Sequence, residues 1–283
     1  MRKKIRCIGV IGLGLIGGSL AMALKEKGYK VTGITNDKSF RLGQLQNTDL
    51  IFICTPLNLI NSYIKKITKI VKHPLILTDV GSTKSEICKY AQKILPANIT
   101  FIGGHPMAGS EKSGIKWADK ALFQNCAWVL TPINKNSKQE IKTLQKIIKQ
   151  IGAKILITTP DEHDRAVALI SHLPLLASIG LCEVVRNIKD PKLRRLAKAI
   201  ASSGFRDTTR IGAGNPELSL NLLRSNSKNL SKLIPIYLKE LNYIFRLANK
   251  KPKTLNNLLN QIMKQRKTMF DTKGYNKYLS ASH

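Results

Sequence analysis

Apolar and polar positions change their spacing repeatedly along the first 158 residues of the chain. Ile5–Ile11, Tyr29–Ile34, Leu50–Cys54, Leu75–Val80, Thr100–Gly103, Ala127–Thr131 and Lys154–Thr158 are short runs rich in aliphatic residues. Runs of that length and composition predict strands buried on both faces. Leu15–Lys27, Leu57–Val71, Ser85–Leu95 and Lys138–Ile151 instead return to an apolar residue every three or four positions, which predicts helices with one buried stripe. Gly28 is placed to end the first helix. Strands alternating with helices predict a mainly parallel sheet covered by helices on both faces.

After Thr158 the strand signal stops. Glu162–Cys182, Pro191–Ser202, Pro216–Ala248 and Lys253–Met269 all read as helix, and Lys273–His283 as a loose tail. The boundary falls at Thr159-Pro160, giving an α/β domain over 1–159 and an all-α domain over 160–283. Leu173–Val185, LPLLASIGLCEVV, is apolar around most of a helix, so burial against a second subunit, as a homodimer, is expected.

A chain of 283 residues can form two cored domains, and 43% hydrophobic with 23% charged residues is the balance of a soluble globular protein. The formal charge of +30 invites a nucleic-acid or membrane reading. The basic residues are scattered as singles and pairs such as Lys65-Lys66, Arg194-Arg195 and Lys250-Lys251. Aromatics do not interleave with them as base-stacking platforms would. A lysine-rich solvated surface that also favours an anionic ligand is expected, without nucleic-acid or membrane partners. No stretch is read as a membrane span. The signal-like start, Met1-Arg-Lys-Lys4 and then an apolar run to Ala23, is explained better by the glycine motif inside it. Cys7, Cys54, Cys88, Cys126 and Cys182 form no CxxC pair, which fits reduced thiols of a cytoplasmic protein with no metal site.

Gly12-Leu-Gly14-Leu15-Ile16-Gly17 follows the first strand and opens the first helix. Gly12 permits the tight turn, Gly14 lets backbone approach a pyrophosphate, and Gly17 allows close packing of helix on strand. The amides around Leu15 and Ile16 are the free N–H groups of a helix N-terminus, suited to a dinucleotide's phosphates. The fold expected is therefore α/β: an N-terminal Rossmann-type doubly wound, mainly parallel sheet followed by an all-α C-terminal domain.

An acid ending the second strand would grip the ribose diol of NAD, but Thr35-Asn36 stand there, with Asp37, Lys38 and Arg41 following. A threonine donor surrounded by bases favours the 2′-phosphate of NADP; Asp37 turning back to the ribose would keep NAD possible. Cys54-Thr55-Pro56 ends the next strand and should pass under the nicotinamide side. Ser82, in DVGSTK, can cap the following helix, turn its hydroxyl to the cleft, or do both. Only fifteen residues separate Ile34 from Leu50, where a full unit holds a helix and a third strand, so the adenine-side wall is shortened. Gly103-Gly-His105-Pro106 sets an imidazole at the end of a strand in a stiff, bare frame, as a fixed base in a cofactor-side cleft requires.

GLGLIGGSLA, DVGSTK, GGHPMAGSEKSG, ISHLP and SSGFRDTTRIGAGNPEL occur in this order between residues 5 and 230. Together they resemble the prephenate/arogenate dehydrogenases of tyrosine biosynthesis, with the cyanobacterial arogenate dehydrogenases as the branch most alike. The resemblance implies oxidation of a cyclohexadiene carrying a 4-hydroxyl and a ring carboxylate, with hydride passing to the nicotinamide and loss of CO2 completing aromatisation. His105 matches the catalytic histidine, Ser82 the serine hydrogen-bonded to it, and Glu111 the acid at the active-site entrance. His172 and Arg210 match substrate-binding positions, with Arg210 on a carboxylate, a bidentate cation's role. His163, in DEHD, has no site role in this reading. Arogenate and prephenate differ by an amine against a ketone away from the chemistry. No appended regulatory domain is expected, so inhibition by tyrosine would act at the active site. Three rivals remain: a 3-hydroxy acid dehydrogenase of the same fold, a cofactor-sensing module without catalysis, and nucleic-acid binding through the +30 charge.

Overall fold

A computed structural model of the chain describes residues 5–35, 42–109, 113–134 and 137–270. The chain divides into two compact units, Met1–Asn226 and Ser227–His283. The first unit opens β1 (Cys7–Ile11), α1 (Leu15–Glu26), β2 (Lys30–Ile34), β3 (Leu50–Ile53), α2 (Leu57–Ile70), β4 (Leu75–Asp79) and α3 (Ser85–Ile94). It continues β5 (Ile99–Pro106), β6 (Ala127–Pro132), α4 (Lys138–Gln150) and β7 (Lys154–Ile157). Next come α5 (Pro160–Val167), a π turn at Ala168–His172, α6 (Leu173–Arg186), α7 (Pro191–Ala199), α8 (Ser203–Thr209) and α9 (Pro216–Ser225). The second unit holds α10 (Ser227–Lys250) and α11 (Pro252–Phe270), packed on each other.

The seven strands lie in the order β2-β1-β3-β4-β5-β6-β7, and every neighbouring pair is parallel except β5 with β6. Strand alternation sends Ile8, Val10, Leu50 and Phe52 to one face, where Leu20 and Leu24 of α1 and Leu144, Ile147 and Ile148 of α4 cover them. Ile11, Ile51, Ile53 and Leu77 face the other way, under Ile60, Ile64 and Ile67 of α2 and Ile87 and Ala91 of α3. The expected doubly wound, mainly parallel sheet is therefore present.

The short passage between β2 and β3 has a topological result. β3 returns directly beside β1, with Ile8 opposite Leu50, and β2 is left as the sheet edge. Leu45, fully buried in the turn Leu42–Leu45, packs above Gly9 and fills part of the space a connecting helix would take.

Three helical expectations change. Ser203–Thr209 forms α8, and the run read as one helix from Pro216 breaks at Asn226. Pro160–Arg186 is one continuous helical stretch interrupted by the π turn. By length and composition it could cross a membrane, with a window of mean hydropathy 1.8, contrary to the expectation that no stretch would. Its N-terminus carries a capping box between Thr159 and Glu162, and its first turns bury His163 and Asp164.

Candidate functional site

The crevice for a dinucleotide lies where the strand order reverses, between the ends of β1 and β3. Gly12 turns there at φ +92°, and its N–H donates to Ile34 O at 2.8 Å. A Cβ on Gly17 would stand 1.9 Å from Gly12 O, so any side chain would push α1 off the turn. Gly14, the residue before α1, has open space in front of it, and Leu15 and Ile16 begin the helix behind. Cys54 anchors the neighbouring strand end through its N–H on Ile11 O at 2.7 Å. The Thr55 hydroxyl is buried without a hydrogen-bond partner, and Pro56 leads into α2. An open glycine, a helix N-terminus and an orphaned hydroxyl on one crevice fit a phosphate-bearing nicotinamide nucleotide. Burial, with Asp79 adding to it, pushes the Cys54 thiol pKa up, so Cys54 lines this crevice as a neutral group.

A second cluster of polar side chains is built on β5. His105 lies within the strand, opposite Val129 of β6, rather than in a loop beyond it. Beneath it, Gly104 N donates to Asp79 Oδ1 at 3.1 Å and Gly104 O accepts from Lys84 Nζ at 2.9 Å. A Cβ on Gly104 would come within 2.5 Å of Asp79 O, so glycine is needed for this grip. Lys84 and Asp79 also pair directly, both fully buried. The half-buried His105 places Nδ1 2.8 Å from Nε2 of His163, with ring centroids 5.0 Å apart. His163 Nδ1 is in turn 2.8 Å from Asp164 Oδ1. The Asp164 carboxylate accepts the backbone N–H groups of Lys84 at 2.7 Å and Ser85 at 2.8 Å. Asn226 Nδ2 donates to Asp164 O at 2.7 Å and lies 3.0 Å from His172 Nδ1.

This surrounding sets the protonation states. Burial first, then the neighbouring His163, Lys84 and His172, hold the His105 pKa well below its usual value. Burial pushes His172 down to about 4, with Asp164 opposing and His163 reinforcing the shift. Burial alone would raise Asp164, but hydrogen bonds from His163 and from Ser85 and Lys84 outweigh it and keep the carboxyl below its usual range.

Of the residues expected at the site, Gly12, Gly14, Leu15, Ile16, Gly17, Cys54, Thr55 and Pro56 line the crevice turns, and Thr35 is exposed at the end of β2. Asn36, Lys38 and Glu111 lie outside the described residues, as do Asp37 and Arg41. Ser82 departs from expectation twice. The bond to His105 comes from His163, not from the serine. The residue preceding α3 is Lys84, with the exposed amides taken by Asp164 from α5, so Ser82 is not the helix cap. His172 is fully enclosed and joins the cluster through Asn226, while Arg210 is exposed at the end of α8. His163, Asp164 and Asn226 were missed. The available signal was a histidine and an acid side by side at the start of an otherwise apolar helix, in TPDEHD.

Comparison with known proteins bears on this arrangement. The family described as "Prephenate dehydrogenase, nucleotide-binding domain" matches residues 20–157, and "Prephenate dehydrogenase, dimerization domain" matches 159–265. A prephenate dehydrogenase of Bacillus subtilis is 33% identical over 252 residues, covering 82% of this chain and 67% of its own. A cyclohexadienyl dehydrogenase of Zymomonas mobilis is 29% identical, covering 83% and 85%. The crystal structure of Synechocystis arogenate dehydrogenase superposes with a TM-score of 0.83 at 36% identity, covering 93% of this chain and 99% of that one.

Proposed function

The chain belongs to the prephenate dehydrogenase family, and on that footing we propose that it decarboxylates arogenate oxidatively to tyrosine, or prephenate to 4-hydroxyphenylpyruvate, using NADP. It is a dehydrogenase of the oxidoreductase class, built on a Rossmann-type sheet. Residues 1–159 would bind the nucleotide and 160–283 would bind substrate and form a homodimer, in the cytoplasm.

A bound nicotinamide nucleotide supplies the hydride acceptor. Gly12, Gly14, Leu15, Ile16 and Gly17 would carry its pyrophosphate, and Thr55 and Cys54 would border its reactive ring. Thr35 supports NADP, because a hydroxyl can donate to a 2′-phosphate that an acid would repel. His105 would take the proton of the substrate 4-hydroxyl, while Arg210 would hold a carboxylate and enclosed His172 would set the pocket's polarity. Ser82 and Glu111 complete the set as a cleft hydroxyl and an entrance acid.

The observation that carries this reading is the half-buried imidazole of His105 on β5, its pKa held well below the usual value and, among the described residues, hydrogen-bonded only at Nδ1. A neutral imidazole has one lone pair to offer, which is what removal of one hydroxyl proton needs. The test is NADPH and NADH formation with arogenate and with prephenate, alongside His105→Asn. Turnover should require one of these substrates and fall about 10²–10⁴-fold in the variant, with cofactor affinity retained. Full activity of His105→Asn, or no turnover of either substrate by the parent chain, would defeat the proposal.

A further inference from the structure

We propose that Asp164 and His163 form a relay behind His105 that fixes its tautomer and receives positive charge when it takes a proton. The inference rests on the dehydrogenase reading above for what His105 abstracts, and on the hydrogen-bond geometry for everything else.

An ionised carboxylate can only accept hydrogen bonds. Asp164 already accepts from the Lys84 and Ser85 amides, so the His163 nitrogen 2.8 Å from Oδ1 must donate to it. With its proton on Nδ1, singly protonated His163 presents a bare lone pair at Nε2. His105 Nδ1 stands 2.8 Å from that lone pair and must therefore be the donor. This leaves the His105 lone pair on Nε2, the atom free to act as base. Every tautomer in the row follows from one fixed anion, whose position is itself held by the amides before α3.

The same row can carry charge inward. When His105 Nε2 forms its new N–H bond and the substrate O–H bond breaks, the ring becomes an imidazolium. Its Nδ1 proton can then pass to His163 Nε2: one N–H bond breaks, another forms, and the charge moves next to Asp164. The other groups facing His105 oppose a lasting charge on it. The charged one is Lys84 at the start of α3, paired with Asp79 beneath Gly104, while His172 from the π turn offers no negative charge to hold it. A second ring backed by a carboxylate solves the problem that a half-buried base is a poor resting place for a proton. His163 and Asp164 are thus positioning residues, acting through His105.

The test reads tautomers directly. Histidine-15N spectra of the full chain near pH 7.5 should show His105 and His163 both protonated at Nδ1 and bare at Nε2. Asp164→Asn removes the anion and leaves one acceptor oxygen for the Lys84, Ser85 and His163 N–H groups, so the hold on the His163 Nδ1 proton should weaken and protons should appear on Nε2 of both rings. Turnover with arogenate or prephenate should then fall about 10²–10⁴-fold, by analogy with loss of the tautomer-setting acid in a Ser-His-Asp triad. The cofactor dissociation constant and KM should change less than about threefold, separating this effect from a collapse of the site. His163→Gln can accept from His105 but hold no proton, so it should keep the His105 tautomer while lowering kcat. An Nε2-protonated His105 in the parent chain, or full turnover of Asp164→Asn, overturns the relay. If Asp164→Asn unfolds, the parent spectrum and His163→Gln still decide. Failure of the parent chain to turn over either substrate would strike the dehydrogenase reading, whereas the tautomers would stand or fall by themselves.

Discussion

His172 is enclosed, and its Nδ1 lies 3.0 Å from the Asn226 amide nitrogen, which donates to it, so the folded chain favours the neutral ring. Its pKa falls from an ordinary 6.5 to about 4, which makes it a liability in acid. As pH drops below about 6.5 the unfolded chain gains a proton at this position and the folded chain does not. Stability should therefore decline by up to about 1.4 kcal/mol per pH unit until the pH reaches the folded value near 4, beyond which this group adds nothing more. His105 is displaced in the same direction and steepens the decline. Urea midpoints at pH 7, 6 and 5 check this, and His172→Asn should flatten the curve; a parent profile level from pH 7 to 5 would contradict it. Arg210→Ala belongs to the same scale: loss of a carboxylate partner should raise KM for substrate at least tenfold with kcat less affected, as steady-state kinetics would show. The place of His105 at the far part of a sheet strand was legible in the sequence, because an aliphatic run leads into the two glycines before it. His163 was not, since its partner is 58 residues away and only the docking of α5 near the end of β5 brings the rings together.

At the scale of elements, the Lys84–Asp79 pair joins three of them: Asp79 ends β4, Lys84 precedes α3, and both bond to Gly104 in β5. Neither side chain reaches solvent. Lys84→Met would leave Asp79 buried with its charge unpaired, at a cost of about 3–5 kcal/mol. Chemical denaturation should show this loss, and the Lys84→Met Asp79→Asn double variant should recover part of it. Strands and helices of the sheet were read to within a few residues, because short aliphatic runs and three-four spacing are local signals. The break at Asn226 was not, because one residue leaves the periodicity of the flanking helices almost intact. Its reason is tertiary: the Asn226 amide turns inward to Asp164 O and His172. The capping of α3 by Asp164 was equally out of reach, since the sequence offers Ser82 nearby and the carboxylate comes from 79 residues beyond Ser85.

For the molecule as a whole, the shortening after Ile34 was legible as a spacing of fifteen residues, and the sheet order shows what it does. The +30 charge, by contrast, said little about architecture. Large apolar residues stay exposed on the helical stretch after β7, among them Ile170 at 61% and Val184 at 68%. Exposure of that size on one stretch marks an interaction surface, and the proposed homodimer would cover it. Val184→Asp should shift sedimentation from dimer to monomer at micromolar concentration; a parent chain already monomeric there would refute the assignment.

The π turn at Ala168–His172 has a consequence for how this chain can change length. Such a turn holds one residue more than an α turn, yet the helix on either side keeps its register. His163, Asp164, Val167 and Ala168 before it, and His172, Leu175 and Ser178 after it, remain buried on the inward side. The helix thus contains a built-in surplus at the point between its two histidines. Deleting exposed Ile170 should relax the turn to an ordinary α turn and leave both halves facing as they do now. Deleting Ile179, within regular helix, would instead rotate everything beyond it by about 100°. Comparing the thermal melts of the two deletions measures the difference, and the prediction is that the first stays near the parent while the second drops. An inherited single-codon loss would be survivable in this turn and ruinous a few residues later.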